Sequence, residues 1–258
     1  MSITFEHRVY SDRELIEHVW DVESVMDVMN RRVYYQIQGL RRQELNDLWV
    51  REKDHCETAS FGRNYGFYVG MEEIVRYYVA EYEDQRQAIL DEYCEADPSI
   101  QNVPANLNIG VTCMQPNSTP VVEIARDGAT ARGIWYSIAQ TTTGRPNGKS
   151  EALWRGEKVA ADFIREDGEW KIWHLMISTD YTSPAGVPHE SQPLNYPEGE
   201  DPLEKEIGNP TISVMTHDYR YHWSDNYPPV PEAYDTYTPS QSYGPEGCPN
   251  LQKKKGGR

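Results

Sequence analysis

Cysteine is scarce in this chain, with four in 258 residues. Cys56, Cys94, Cys113 and Cys248 have neither paired C-x-x-C spacing nor a secretory context, which argues against a zinc site or a disulfide framework. Free thiols in a reducing cytoplasm are the simpler expectation. Long apolar runs are missing as well. No segment approaches the roughly 20 residues a membrane span needs, and nothing near Met1 pairs a charged segment with an apolar one, so no membrane partner is expected. Positive charge is in deficit: 25 Lys and Arg face 41 Asp and Glu, a formal net charge of -16. That balance disfavours nucleic-acid binding through a general field but leaves local basic pockets open.

What the chain does contain is concentrated in its middle, where three turn signals separate four strand-like runs. Val121 to Ala125 leads into Asp127-Gly128, a dipeptide that tolerates positive φ. Thr130 to Thr143 ends at Gly144-Arg-Pro-Asn-Gly148, and Glu151 to Arg165 ends at Glu166-Asp-Gly-Glu169. Trp170 to Thr179 completes an antiparallel meander. Its two alternating faces are both apolar, with Trp170, Ile172 and Met176 on one and Trp173, Leu175 and Ile177 on the other. A strand of that kind is covered on both sides, which predicts helices on one face and a second subunit, a homodimer or homotrimer, on the other.

Upstream, Ser11-Asp-Arg-Glu14 is a capping-box pattern that predicts the start of a long helix. Leu15, Val19, Val22, Met26, Met29 and Val33 form its apolar stripe, and Gly39 ends it. A short helix from Arg42 to Val50 follows, then strands at Cys56 to Phe61 and Tyr65 to Val69, and a helix from Met71 to Cys94. Asp97 to Pro116 reads as a long connection. Residues 1–184 form one predicted domain. Beyond it, residues 185–258 are rich in proline and tyrosine, an extended arm that packs on the body or on a neighbouring subunit. The His217 and His222 pair lacks further ligands, so no metal is expected.

The succession of helical hairpin, short strands, helix and meander ending in Asp-Gly-Glu-Trp-Lys-Ile-Trp-His resembles the NTF2-like superfamily, specifically its SnoaL-like branch. Gly70-Met-Glu-Glu-Ile74, Ala129-Thr-Ala-Arg-Gly-Ile-Trp135 and Asp162-Phe-Ile-Arg-Glu-Asp-Gly-Glu-Trp-Lys-Ile172 carry the likeness. The resemblance implies an α+β cone-shaped barrel, a curved antiparallel sheet wrapped around a deep apolar cavity closed by N-terminal helices. Relatives include ketosteroid isomerase, scytalone dehydratase, bile acid 7α-dehydratase and a lignin diarylpropane lyase, many of which need no cofactor. The match also has gaps. Where the bile acid dehydratase pattern has a catalytic aspartate this chain has Gln38, its tyrosine falls on Val33 or Tyr34, its histidine near Gln115 or Asn117, and its strand acid near Ser137 or Ala139. The Asp-His machinery of dehydratases therefore does not transfer.

Among residues that could carry chemistry, His174 on the last strand could move a proton near neutral pH. His55 is a weaker candidate. Tyr34 and Tyr35, with Tyr65, Tyr68 and Tyr78, recur on elements expected around the cavity mouth, where a phenol can anchor a hydroxyl or donate to an oxyanion. Each is also explained as packing. Arg63 could stabilise a phenolate or carboxylate, Gln38, Trp135 and Gln140 could shape the pocket, and Asp162 and Asp180 are acids with structural alternatives. These residues lead to a cofactor-independent lyase, dehydratase or isomerase acting on a hydrophobic aromatic or polycyclic molecule, with His174, Tyr34 and Arg63 as catalytic groups. The alternative is a binding or assembly protein of the same fold.

Overall fold

A computed structural model describes residues 2–5, 8–186, 202–218 and 227–256. A hairpin of β1 (Ser2–Phe5) and β2 (Arg8–Ser11) leads directly into α1 (Asp12–Ile37). The capping box forms as expected. The Glu14 amide donates to Ser11 Oγ, and the Glu14 carboxylate accepts from the Ser11 amide at 2.8 Å. Gly39 ends the helix at φ +70°, where a side chain would collide with Asn108. The buried stripe of α1 is Val25, Met29, Arg32 and Gln36, whereas Val19 is exposed. Two polar residues thus continue the apolar face.

After α2 (Arg41–Leu48), the strand expected from Cys56 is instead a helix, α3 (Lys53–Thr58). The distant Glu166 carboxylate holds the amides of Arg51 and Glu52 just before it and so fixes the turn. Next come β3 (Ser60–Arg63) and β4 (Gly66–Val69), then one continuous helical rod: α4 (Met71–Ile74), a π-helical stretch (Val75–Ala80) and α5 (Glu81–Ala96). The long connection after α5 contains β5 (Val111–Met114).

The meander strands are β6 (Ser118–Ile124), β7 (Thr130–Thr143), β8 (Glu151–Glu166) and β9 (Glu169–Pro184). Asp167 and Gly168 both have positive φ, as the tight turn between β8 and β9 requires. The sheet order is β10-β4-β3-β9-β8-β7-β5, where β10 is Ile212–Ser213 and β6 also pairs with β7. Two features depart from the expected antiparallel barrel. β3 runs parallel to β9, and the sheet is curved but not closed.

One face of the sheet packs on the helices through rows such as Trp135, Val159 and Ile177. The opposite face presents Ile134, Ala160 and Met176, which pack with Val214, Tyr227, Tyr243 and Cys248 of the C-terminal extension. The extension of the same chain, not a second subunit, covers this part of the sheet. Tyr219, Tyr221, Trp223 and His222 lie outside the described residues. Among those that are described, no helix is long and apolar enough to cross a membrane.

Gly133 marks a close approach within β7: a Cβ there would lie 2.4 Å from the ring of Trp135 two residues on, itself wedged edge-on against Phe163. Gly133→Ala is expected to overpack this layer and cost about 1–3 kcal/mol. An unchanged melting temperature would show that the indole has room to move.

Candidate active site

Past the apolar core, the helix-facing side of the sheet turns polar, and there it borders a cavity of about 540 Å³. Cross-strand register lays out its floor. Ala139 lies opposite Arg155, Ser137 opposite Glu157, and Glu157 opposite Thr179. The walls come from α1, the π-helical stretch, α5 and β5. Six arginines line it, Arg32, Arg41, Arg63, Arg86, Arg145 and Arg155, against the carboxylates of Glu151 and Glu157. In a chain with only 25 basic residues this is a marked concentration of positive charge. The deep apolar cavity implied by the resemblance is therefore replaced by a mixed one, with Phe61, Ile89, Leu153 and Ile177 as its apolar patches.

Its deepest polar group is a buried network. Arg32 and Glu44 are both fully buried, 3.4 Å apart. Arg32 also donates to Gln115 Oε1 at 3.1 Å, Gln115 donates onward to Glu157 Oε2, and the Thr179 hydroxyl donates to Glu157 Oε1 at 3.0 Å. The Tyr78 hydroxyl donates to Glu44 at 2.6 Å. The Gln36 amide lies 2.8 Å from the Tyr78 hydroxyl and also faces Arg32. Burial pushes Glu44 above the usual carboxylate range, opposed by Arg32, and pushes the Tyr78 phenol far up, so that it stays protonated.

Towards the opening, Arg41 stacks over the Tyr82 ring at 3.6 Å, a cation–π contact. Arg86, only 7% exposed, also lies over Tyr82 but at 5.1 Å. Its Nε and Nη1 are buried and meet no hydrogen-bond acceptor among the described residues. Burial pushes the Arg86 pKa down, with Arg41 and Arg145 adding like-charge repulsion. Arg145 is paired with Glu92 at 2.6 Å. Burial likewise pushes the Cys113 thiol up.

Of the residues singled out from sequence, the structure brings Tyr78 and Arg63 to this cavity. The others lie elsewhere. Tyr34 is 65% exposed on the outside of α1, and Gln38 is exposed at the helix end. Tyr35 donates to Asp47 at 2.6 Å in a separate, more open groove of about 650 Å³ between α1 and the β8–β9 turn. Tyr65 packs against Leu203 and Ile207, while Tyr68 stacks on Tyr77 with ring centres 3.9 Å apart and donates to the Ile207 carbonyl. Trp135 belongs to the apolar core, and Gln140 pairs with Met114 and Trp154 on a register row beside the cavity-facing residues.

His174 is buried on the far side of the sheet. Phe163 pairs with Ile172 and Asp162 with His174, so Trp173 is an extra residue, a β-bulge. The bulge reverses the alternation of faces and turns His174 away from Ile172 and the cavity, to Ser60 Oγ at 2.9 Å and to Gly244 of the extension. Without a charged partner, burial lowers its pKa to about 3. Asp162 and Asp180 lie beneath the extension too. Asp162 accepts from the Tyr243 amide at 2.7 Å, and Asp180 lies 3.1 Å from His217 Nε2.

Glu52, His55 and Glu166 bring ligand atoms within 4.8 Å of one another. Glu166, however, is already engaged by the amides of Arg51 and Glu52 and by His55 at 2.7 Å, a tie between β8 and α3. Sequence reasoning missed Glu157, Arg86, Arg41, Gln36 and Cys113 as cavity residues. Their signal is a polar residue at a buried phase of an amphipathic element, as with Arg86 between Val79 and Ile89 on the helical rod.

Three solved structures show the extent of the structural likeness. A hexachlorocyclohexane dehydrochlorinase, LinA type 2, is 13% identical with a TM-score of 0.44, over 69% of this chain and 97% of its own. A candidate scytalone dehydratase from Novosphingobium aromaticivorans is 11% identical with a TM-score of 0.44, over 66% and 91%. An NTF2-like protein with a cystatin-like fold from the same organism is 15% identical with a TM-score of 0.41, over 66% and 90%. No curated protein matches in sequence. Residues 17–176, from within α1 to within β9, match the sequence profile of the SnoaL-like domain, and across that span, more than half its length, the chain belongs to the SnoaL-like family of the NTF2-like superfamily.

Proposed function

We propose that this protein is a cofactor-free acid–base enzyme, a lyase or isomerase, that acts on a small aromatic or polycyclic molecule held in the arginine-lined cavity. One observation carries the reading: Glu157, a buried carboxylate on the cavity wall, is held by Gln115 and Thr179 in a fixed position. A carboxylate so oriented can take a proton from a carbon of the guest. The electron pair of the broken C–H bond then forms a new C=C as a leaving group departs with its own bonding pair, or shifts the double bond while Glu157 returns the proton to the far carbon in an isomerisation. Arg63 stabilises the charge that develops on an oxygen of the guest. Tyr78, whose proton is committed to Glu44, offers a lone pair to a substrate hydroxyl. A phenolic ring supplies its own electron sink, so diarylpropane-type compounds suit this chemistry.

Incubation with phenolic arylpropanoids in D₂O, followed by proton NMR, tests for proton abstraction without knowledge of the product. Glu157→Gln can still accept from Gln115 and donate to the Thr179 hydroxyl, the latter bond reversed, and is expected to slow loss of the exchanging C–H signal roughly a hundredfold or more. Equal exchange by both proteins would remove Glu157 from the chemistry. Binding without turnover is the second reading, favoured by the placement of His174 and the Asp180–His217 pair on the opposite side of the sheet. Occupancy of the cavity with no exchange in the wild type would establish it.

A further inference from the structure

We infer that Arg86, flanked by Arg41 and Arg145, seats the carboxylate of the guest, so that the ligand is an aromatic acid. The inference rests on the cavity being the substrate site and deepens it by assigning the charge of the substrate. Arg86 is buried with Nε and Nη1 lacking any acceptor among the described residues. Two guanidinium nitrogens removed from water without an acceptor are costly to hold. Its neighbours do not relieve it: Tyr82 offers only a ring face, and Arg41 and Arg145 repel it. Arg145 already has Glu92, and Arg41 donates to the Tyr78 carbonyl at 3.2 Å and stacks on Tyr82. What is missing around Arg86 is an anion.

The rest of the cavity indicates what the anion is attached to. Phe61, Leu153 and Ile177 supply apolar lining, and Glu157 lines the same cavity. An inorganic anion would leave that wall empty. A flat acid a few carbons long places its carboxylate at Arg86 and its ring along the apolar patch, with a C–H presented to Glu157. The positive lining also counters the field of a chain with a net charge of -16, which would otherwise repel such a ligand.

The test uses the full chain with three probes: 3-phenylpropanoate, the uncharged 3-phenylpropan-1-ol and inorganic phosphate. Calorimetry reads affinity, and protection of Cys113 from iodoacetamide, followed by peptide mass spectrometry, shows whether the probe occupies this cavity, since Cys113 lines it. The acid is expected to bind at least tenfold more tightly than the alcohol or phosphate and to protect Cys113. Arg86→Gln is expected to abolish that preference while leaving the affinity for the alcohol unchanged, and Arg86→Lys to restore part of it. Equal binding of acid and alcohol by the wild type, an unaltered preference in Arg86→Gln, or no protection of Cys113 by the acid would overturn the inference. If Arg86→Gln fails to fold, the wild-type acid and alcohol comparison decides the matter alone. The two readings fail separately. Acid binding that depends on Arg86 but gives no hydrogen exchange leaves the anion seat standing without catalysis. Exchange into uncharged arylpropanoids as fast as into acids leaves catalysis standing without the seat.

Discussion

Arg32→Met is expected to destabilise the protein by about 3–5 kcal/mol, because it strands a buried charge. Arg32 and Glu44 are both fully buried and 3.4 Å apart, with Trp49 and Tyr78 closing around the carboxylate. Without the guanidinium, Glu44 must hold a charge in the core or take up a proton. Its pKa is already above the usual range through burial, with Arg32 the largest opposing influence. The variant's deficit should therefore grow as pH rises. In thermal denaturation near neutral pH the midpoint should fall by roughly ten degrees. Adding Glu44→Gln should return part of the loss, since a neutral amide can stay in the core near Tyr78 at lower cost. A single variant within about 1 kcal/mol of wild type would mean that water or a rearranged side chain reaches Glu44, contrary to the burial described.

The second large effect concerns two neighbours on the outer face, Asp162 and His174, which are cross-strand partners. Burial, resisted by Arg132 at 3.5 Å and by the Tyr243 amide, raises Asp162 to about 7. Its unfolded value is about 4, so its contribution to stability is full below that pH and is lost as pH rises through about 7. His174 has the opposite slope. Its folded pKa is lowered to about 3 by burial, against about 6.5 when unfolded, so its contribution is full above about 6.5 and is lost as pH falls towards 3. Between pH 4 and 6.5 the two largely cancel. Asp162→Asn should gain on wild type as pH rises from 4 to 7, by up to about 4 kcal/mol. His174→Asn should gain on wild type as pH falls below 6.5. Urea unfolding across this range measures both, and curves parallel to wild type would show that the groups titrate normally.

The strand order and turns of the meander could be read because they depend on local chemistry. Gly128 in the first turn and Asp167 and Gly168 in the third adopt positive φ, as their residue types allow, and β7 spans the expected Thr130–Thr143. The capping box of Ser11 and Glu14 works the same way. Features set by distant partners could not be read. Helix α3 depends on Glu166, over a hundred residues later, and the parallel pairing of β3 with β9 has no local signature. The face of His174 was inverted by one bulged residue, Trp173, which alternation cannot register. The cavity escaped for a different reason. Arginines on amphipathic helices ordinarily project into water, and only the position of Arg32 in line with Val25 and Met29 distinguishes it.

The π-helical stretch from Val75 to Ala80 has a consequence for how related chains correspond to this one. A wider turn accommodates an additional residue without shifting the phase of the helix beyond it. Wound in the ordinary way, the same residues would rotate everything downstream by about 100°, and Arg86 would leave the cavity. Its location is thus determined as much by spacing as by residue type. A family member lacking the insertion would keep the equivalent cation one number earlier, so position-by-position comparison across this segment would misjudge whether the charge had been retained.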